Sequence, residues 1–155
     1  MSNKRSNKRS AVALCSSLAI VAMSQMAIAD DASVDFFNRN GGGRSGDPFA
    51  ACRLEKKTQT YNLKERAVRN CKNDTVRSME LLGNFPKGFK VILHDSPDGR
   101  NSDDWTIVVV KRDLVRARVL VGTFENDFEN QDVKVSYHRK NGLDGKVSRI
   151  RTEMP

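Results

Sequence analysis

Apolar and polar residues alternate with a period of two in several short stretches of this chain. Such alternation is typical of strands that bury one face and expose the other. Residues 52–55, which read Cys-Arg-Leu-Glu, are one example, and residues 115–121 repeat the pattern. The stretches that favour a strand are 49–57, 76–81, 89–94, 105–110, 115–121, 133–137 and 148–152.

Turn residues separate these stretches. Gly83, Pro86 and Gly88 predict one turn, and residues 96–99, Ser-Pro-Asp-Gly, predict another. Residues 61–71 fit either a helical turn or a short irregular strand, and no stretch predicts a helix of ordinary length. Short strands at intervals of roughly 8 to 15 residues favour an all-β sandwich.

The N-terminal residues have the layout of a secretory signal peptide. Four basic residues within positions 1–9 precede a mostly apolar run at 11–23, and small residues follow at Ala27 and Ala29. Serines interrupt the run, which is shorter than the roughly 20 residues that a membrane span needs. We therefore expect a signal peptide over 1–29, cleavage near Ala29, no transmembrane anchor, and a secreted or periplasmic protein.

Residues 30–47 are rich in asparagine and glycine, which have little to bury and much backbone freedom to lose. This composition predicts a disordered leader, in which Phe36 and Phe37 would be docking points. The folded domain is then expected over residues 48–155.

The charge of the chain does not favour a nucleic-acid partner. The chain has 27 Lys and Arg against 19 Asp and Glu, and without the signal peptide the balance is 23 against 19, a net charge of +4. The bases are spread out, and the single tryptophan, Trp105, follows two aspartates, whereas nucleic-acid binding requires a clustered basic stripe with aromatic platforms.

Two cysteines, Cys52 and Cys71, follow the predicted signal peptide. An even number in an exported chain predicts a disulfide rather than two buried free thiols.

Two polar loops have similar sequences. The loop that begins at Asn73 has a weaker copy that begins at Asp144. Both loops have valine at the fourth position, and their seventh position is apolar, Met79 in one and Ile150 in the other. This similarity indicates an internal repeat.

Residues 73–78, Asn-Asp-Thr-Val-Arg-Ser, and the strand after them resemble the loop motif of βγ-crystallin domains. Residues 52–55, the hairpin at 91–99 and the closing loop at 141–150 look like the rest of such a two-motif domain. The resemblance covers about residues 49–152 and implies a Greek-key β-sandwich. The loops lie further apart than in two standard motifs, which implies an insertion around 101–121, and His94 stands where a tyrosine is usual.

Loop oxygens hold calcium in βγ-crystallins. Carried over, the resemblance implies one weak calcium site made of the Asp74 carboxylate, the Thr75 and Lys146 carbonyls and the Ser148 hydroxyl. Calcium takes 6 to 8 hard oxygen ligands, and waters can complete the number.

Two departures weaken each half of this site. Arg77 stands where the first loop needs a hydroxyl, and Gly145 replaces an acid or amide in the second loop. As an alternative without metal, the Asx and Ser side chains of both loops bind only loop amides.

No spacing in the chain indicates an enzyme. His94 and His138 lack the spacing of a zinc motif, Asp103 and Asp104 are expected in a solvated turn, and no Gly-x-Ser-x-Gly is present. We expect a monomeric structural or binding module for an extracellular protein or cell-surface target. The resemblance also admits an alternative, a protease inhibitor or small toxin that acts by a protein or membrane contact, and an inhibitor would use the loop at 96–104. A second alternative is a secreted hydrolase with His94 or His138 in a pocket.

Overall fold

The computed structural model of the chain describes residues 32–43, 50–65 and 71–155. Within these residues the chain forms ten β-strands and no helix, so it offers no helix long and apolar enough to cross a membrane. The strands are β1 Ser33–Phe37, β2 Ala50–Glu55, β3 Gln59–Asn62, β4 Ser78–Phe85, β5 Lys90–His94, β6 Trp105–Val110, β7 Leu114–Val121, β8 Phe128–Glu129, β9 Val133–His138 and β10 Arg149–Glu153. The predicted all-β class is confirmed, and the predicted signal peptide lies outside the described residues.

The strands form two antiparallel sheets. Their orders are β2-β1-β4-β7 and β3-β10-β5-β6-β9-β8. In β6, Thr106, Val108 and Val110 are buried while the residues between them are partly exposed, as a period of two requires. The inward side chains of both sheets join in one hydrophobic core.

Strand β1 shows that the predicted disordered leader is wrong for residues 33–37. The strand lies between β2 and β4 in the four-stranded sheet, with Val34 and Phe36 fully buried. On its outer face, both carboxylate oxygens of Asp35 accept hydrogen bonds of 2.7 Å from the Arg53 guanidinium. Pairing with two strands distant in sequence stabilises this short segment, so the composition around it did not reveal it, and the domain begins before residue 48.

Two strands, β3 and β7, are exchanged between the sheets. β3 follows β2 along the chain but belongs to the six-stranded sheet, and β7 follows β6 but belongs to the four-stranded sheet. The four-stranded sheet therefore combines β1, β2 and β4 with β7, and the six-stranded sheet combines β3 with strands that all follow β4 in the chain.

Strand β4 extends beyond its predicted end. It continues through Gly83, where the sequence indicated a turn, and the register of its pairing with β7 shifts between Gly83 and Phe85. Gly83 has φ +99°, and a Cβ there would lie 2.9 Å from the Cα of Ala32. The glycine therefore marks an irregularity within the strand where another backbone approaches closely.

The predicted disulfide between Cys52 and Cys71 is confirmed. The two cysteines are 19 residues apart, and the loop that they close includes β3. By restricting the unfolded chain, a loop of this size stabilises the folded state by about 3 kcal/mol. The ambiguous segment at 61–71 begins as the end of β3, and residues 66–70 lie outside the described residues.

Candidate functional site

The two similar loops meet at one end of the sandwich. We call residues 73–77 loop A and residues 144–148 loop B. The Asp74 amide of loop A donates a hydrogen bond of 3.2 Å to the Val147 carbonyl of loop B. Val76 and Val147, the fourth residues of the two loops, are both fully buried in the core.

The hydrogen bonds of the two loops are also equivalent. Strand β4 begins after loop A and β10 begins after loop B. The Arg77 amide donates to the carbonyl of Phe37 at the end of β1, and the Ser148 amide donates to that of His94 at the end of β5, each at 2.9 Å. Arg77 and Ser148 therefore occupy equivalent positions, which supports the internal repeat.

Three of the four predicted calcium ligands lie together. The Ser148 hydroxyl lies 3.5 Å from Asp74 Oδ1 and 3.4 Å from the Lys146 carbonyl oxygen. Both distances are long for an O–H···O hydrogen bond, which is usually about 2.5 to 3.0 Å. The fourth predicted ligand is the backbone carbonyl of Thr75, the residue after Asp74 in loop A; the Thr75 hydroxyl, which was not a predicted ligand, donates a hydrogen bond of 2.8 Å to the Lys72 carbonyl.

Arg77 connects the loops instead of only removing a ligand. Its guanidinium forms an ion pair with the Asp144 carboxylate of loop B, and both side chains are 35% exposed. Gly145 makes room for this pair, because a Cβ there would lie 2.6 Å from Arg77 Nη2. The pair therefore places a fixed positive charge where loop B offers a carboxylate.

The backbone at position 145 also matches its counterpart in loop A. Gly145 has φ +67°, and Asp74 has φ +59°. Aspartate and asparagine adopt this left-handed conformation more readily than most other residues with a Cβ.

Asp95, Asp103 and Asp104 form an acidic cluster beside the loops, with carboxylate oxygens within 4.8 Å of one another. Burial and the neighbouring Asp103 raise the pKa of Asp95. No oxygen of this cluster is a predicted calcium ligand.

The expectation of a solvated turn is wrong for Asp104, which is fully buried. Its carboxylate accepts four hydrogen bonds of 2.7 to 3.1 Å, from the Tyr137 hydroxyl and the amides of Lys140, Asn141 and Gly142. Burial alone would raise the pKa of Asp104, but the hydrogen bonds outweigh it and lower the pKa from 3.8 to about 2. The residue fixes the backbone that leads into loop B. The sequence carries no signal for this role, since the donors lie more than 30 residues away.

The two histidines flank Trp105 in one row across β5, β6 and β9. The ring centroids of His94 and His138 lie 6.5 and 5.8 Å from that of the indole. His94 is buried, which lowers its pKa, and Nε2 lies 3.3 Å from Asn101 Oδ1. Among the described residues, no carboxylate forms a hydrogen bond with either histidine.

Comparison of the chain with protein-family models, with curated proteins and with solved structures gives no match.

Proposed function

We propose that the chain is a secreted or periplasmic, non-enzymatic βγ-crystallin-like module in which loops A and B form one weak calcium site. The observation that carries the proposal is the approach of Asp74 and Ser148, which are 74 residues apart in sequence. The module would act as a structural or binding element for an extracellular protein or cell-surface target. The disulfide is consistent with an oxidising compartment.

The strand connections support the βγ-crystallin-like, Greek-key assignment. The exchange of β3 and β7 between the sheets is the arrangement expected if two similar motifs, each with one of the loops before its last strand, form one sandwich. In this assignment β8 and β9 are the additional strands. The insertion then lies mainly after β7, rather than around residues 101–121.

The oxygens present fit a hard cation incompletely. A carboxylate, a carbonyl and a hydroxyl are the ligand types that calcium prefers, and their spacing leaves them without short hydrogen bonds to one another. Asp144 and residue 77 would form the equivalent pair of ligands for a second ion. There the Arg77 guanidinium neutralises the Asp144 carboxylate and leaves no place for that ion. Bound calcium would neutralise Asp74 and link the two loops, and a site with so few protein ligands is expected to be weak.

Calorimetric titration of the full chain with calcium tests this site. We expect weak saturable binding and a rise in melting temperature at millimolar calcium, because a ligand that binds the folded state stabilises it. Asp74→Asn should weaken the binding. Asp98→Asn is the control, since it removes an exposed carboxylate that pairs with Arg100 outside both loops.

The same titration shows whether loop A keeps the geometry of the motif. Arg77→Ser restores the hydroxyl and removes a positive charge, so calcium should bind more tightly to this variant. Absence of heat and of any change in melting temperature in both proteins would refute the calcium site and leave the Asx and Ser side chains with a role in loop structure only.

The protease-inhibitor alternative rests on one feature of the loop at 96–104. Asp98 and Arg100 are exposed there, while the Arg149 guanidinium donates a hydrogen bond of 3.0 Å to the Pro97 carbonyl. An exposed loop braced from β10 is suited to contact with another protein. A panel of proteases assayed with the wild type and with the variant Asp98→Ala/Arg100→Ala, which changes the exposed residues and keeps the buried Asp104, tests this alternative, which predicts weaker inhibition by the variant.

A further inference from the structure

A polar cavity lies at the end of β9, beside the turn after β1 and the segment after β7. Its volume is about 490 Å³, within the range of roughly 300 to 1,000 Å³ of small-ligand sites. Asn40 comes from the turn after β1, Thr123 and Asn126 follow β7, and Arg139 follows β9. The cavity is therefore made by three separate segments of the chain.

Three of the lining side chains have no partner within the described residues. The side chains of Asn40, Asn126 and Arg139 are exposed and form no hydrogen bond or ion pair there. The two amides each offer donors and an acceptor, and the guanidinium offers several donors. These groups are available to a ligand without the loss of an existing contact.

Other groups in the lining are held in place. One oxygen of Glu125, Oε1, accepts hydrogen bonds from the amides of Leu143 and Asp144, at 2.6 and 2.8 Å. The Tyr137 hydroxyl is bound to the buried carboxylate of Asp104 at 2.7 Å. A fixed wall reduces the ordering cost of binding.

We infer that this cavity binds a neutral sugar unit. A sugar offers several hydroxyls that both donate and accept, and the lining supplies amides, a hydroxyl, a carboxylate and a guanidinium for them. Tyr137 adds an aromatic residue, whose ring can pack against the apolar face of a sugar. Glu125 and Arg139 together make the lining close to neutral, which favours an uncharged ligand over an acidic one.

The inference goes beyond the proposed function and is independent of it. None of the four predicted calcium ligands lines the cavity. Sugar binding should therefore persist in the presence of a calcium chelator, so failure of the calcium site and failure of the sugar site are distinguishable.

The experiment is a titration of the isotope-labelled full chain, followed by two-dimensional NMR, with D-glucose, D-galactose, D-mannose and N-acetyl-D-glucosamine. We expect at least one sugar to cause saturable shifts that are largest at the residues lining the cavity. Methyl glycosides of that sugar show whether the source is a free monosaccharide or the end of a glycan, and either result supports the inference.

Alanine variants locate the binding. Asn126→Ala and Arg139→Ala should each weaken it by about five- to tenfold, the effect of one or two lost hydrogen bonds. Both side chains are exposed and unpaired within the described residues, so these variants should fold. The matched control is Arg112→Ala, which removes an exposed arginine bound to Asp132 at the opposite end of β6 and should leave sugar binding unchanged.

Three results would overturn the inference. These are the absence of saturable shifts with every sugar, shifts that are the same in the wild type and in both cavity variants, and equal shifts with glycine. The last result would indicate a zwitterionic ligand held between Glu125 and Arg139.

Discussion

Replacing Asp104 tests how the backbone before loop B is held. Asp104→Asn keeps the size of the side chain but places an amide where the carboxylate accepts hydrogen bonds from three backbone amides. A depression of the pKa from 3.8 to about 2 corresponds to about 2 kcal/mol of stability. The same hydrogen bonds, considered as backbone donors left unsatisfied, give a similar figure of about 1 to 3 kcal/mol. At pH 7 we therefore expect Asp104→Asn to lower the free energy of unfolding by about 2 kcal/mol.

The lowered pKa of Asp104 determines how the difference in stability between the wild type and Asp104→Asn changes with pH. Because the pKa of Asp104 is lower in the folded state, its ionisation stabilises the fold fully above about pH 5. That contribution is lost as the pH falls through 3.8 towards 2. The difference between the wild type and Asp104→Asn should therefore shrink by about 1 kcal/mol at pH 3 and by about 2 kcal/mol at pH 2.

Urea denaturation at pH 7, 3 and 2 measures both quantities. Other carboxylates also titrate in this range, so the informative value is the difference between the two proteins at each pH. Asp98→Asn is the control, since the Asp98 side chain is 62% exposed and its ion pair with Arg100 contributes at most about 0.5 kcal/mol. A difference between the wild type and Asp104→Asn that stays constant from pH 7 to pH 2 would refute the reasoning.

Two further predictions concern other parts of the fold. Phe36→Ala should lower the free energy of unfolding by about 3 to 5 kcal/mol in a urea titration, because Phe36 is fully buried; no change would indicate a leader outside the fold. Reduction of the disulfide should lower it by about 3 kcal/mol, and equal urea midpoints for the oxidised and reduced chains would contradict this.

Features that repeat within a few residues were predictable from the sequence. Alternation located most of the strands, and the observed bounds of Trp105–Val110 are those that its apolar run predicted. A predicted signal peptide and an even number of cysteines after it were enough to predict the disulfide. In each case the signal lies in the segment itself or in a simple count.

Features that depend on distant partners were not predictable. β1 is a stable strand only because β2 and β4 flank it, and its glycine-rich surroundings indicated disorder. Asp104 resembles any aspartate in a turn until amides from more than 30 residues away surround it. The loop motif alone shows that Arg77 replaces a hydroxyl. Its ion pair with Asp144 was not predictable, because the two residues are 67 positions apart in the sequence.

The two departures from the loop motif are in direct contact, because a Cβ at position 145 would lie 2.6 Å from Nη2 of the Arg77 guanidinium that pairs with Asp144. In the proposed calcium arrangement, restoring one residue without the other would leave the second pair of ligands incomplete. The double variant Arg77→Ser/Gly145→Asp restores a hydroxyl and a carboxylate together. Position 145 should accept aspartate, since Asp74 in loop A has φ +59°, close to the +67° of Gly145.

We therefore expect the double variant to bind calcium more tightly than Arg77→Ser, and in a calorimetric titration to take up two ions rather than one. Gly145→Asp alone is the control. Its side chain would displace the Arg77 guanidinium without removing the positive charge, so it should not gain the second ion. If the double variant bound calcium no better than the wild type, loops A and B would not share the geometry of a calcium-binding pair, and their equivalence would concern the backbone alone.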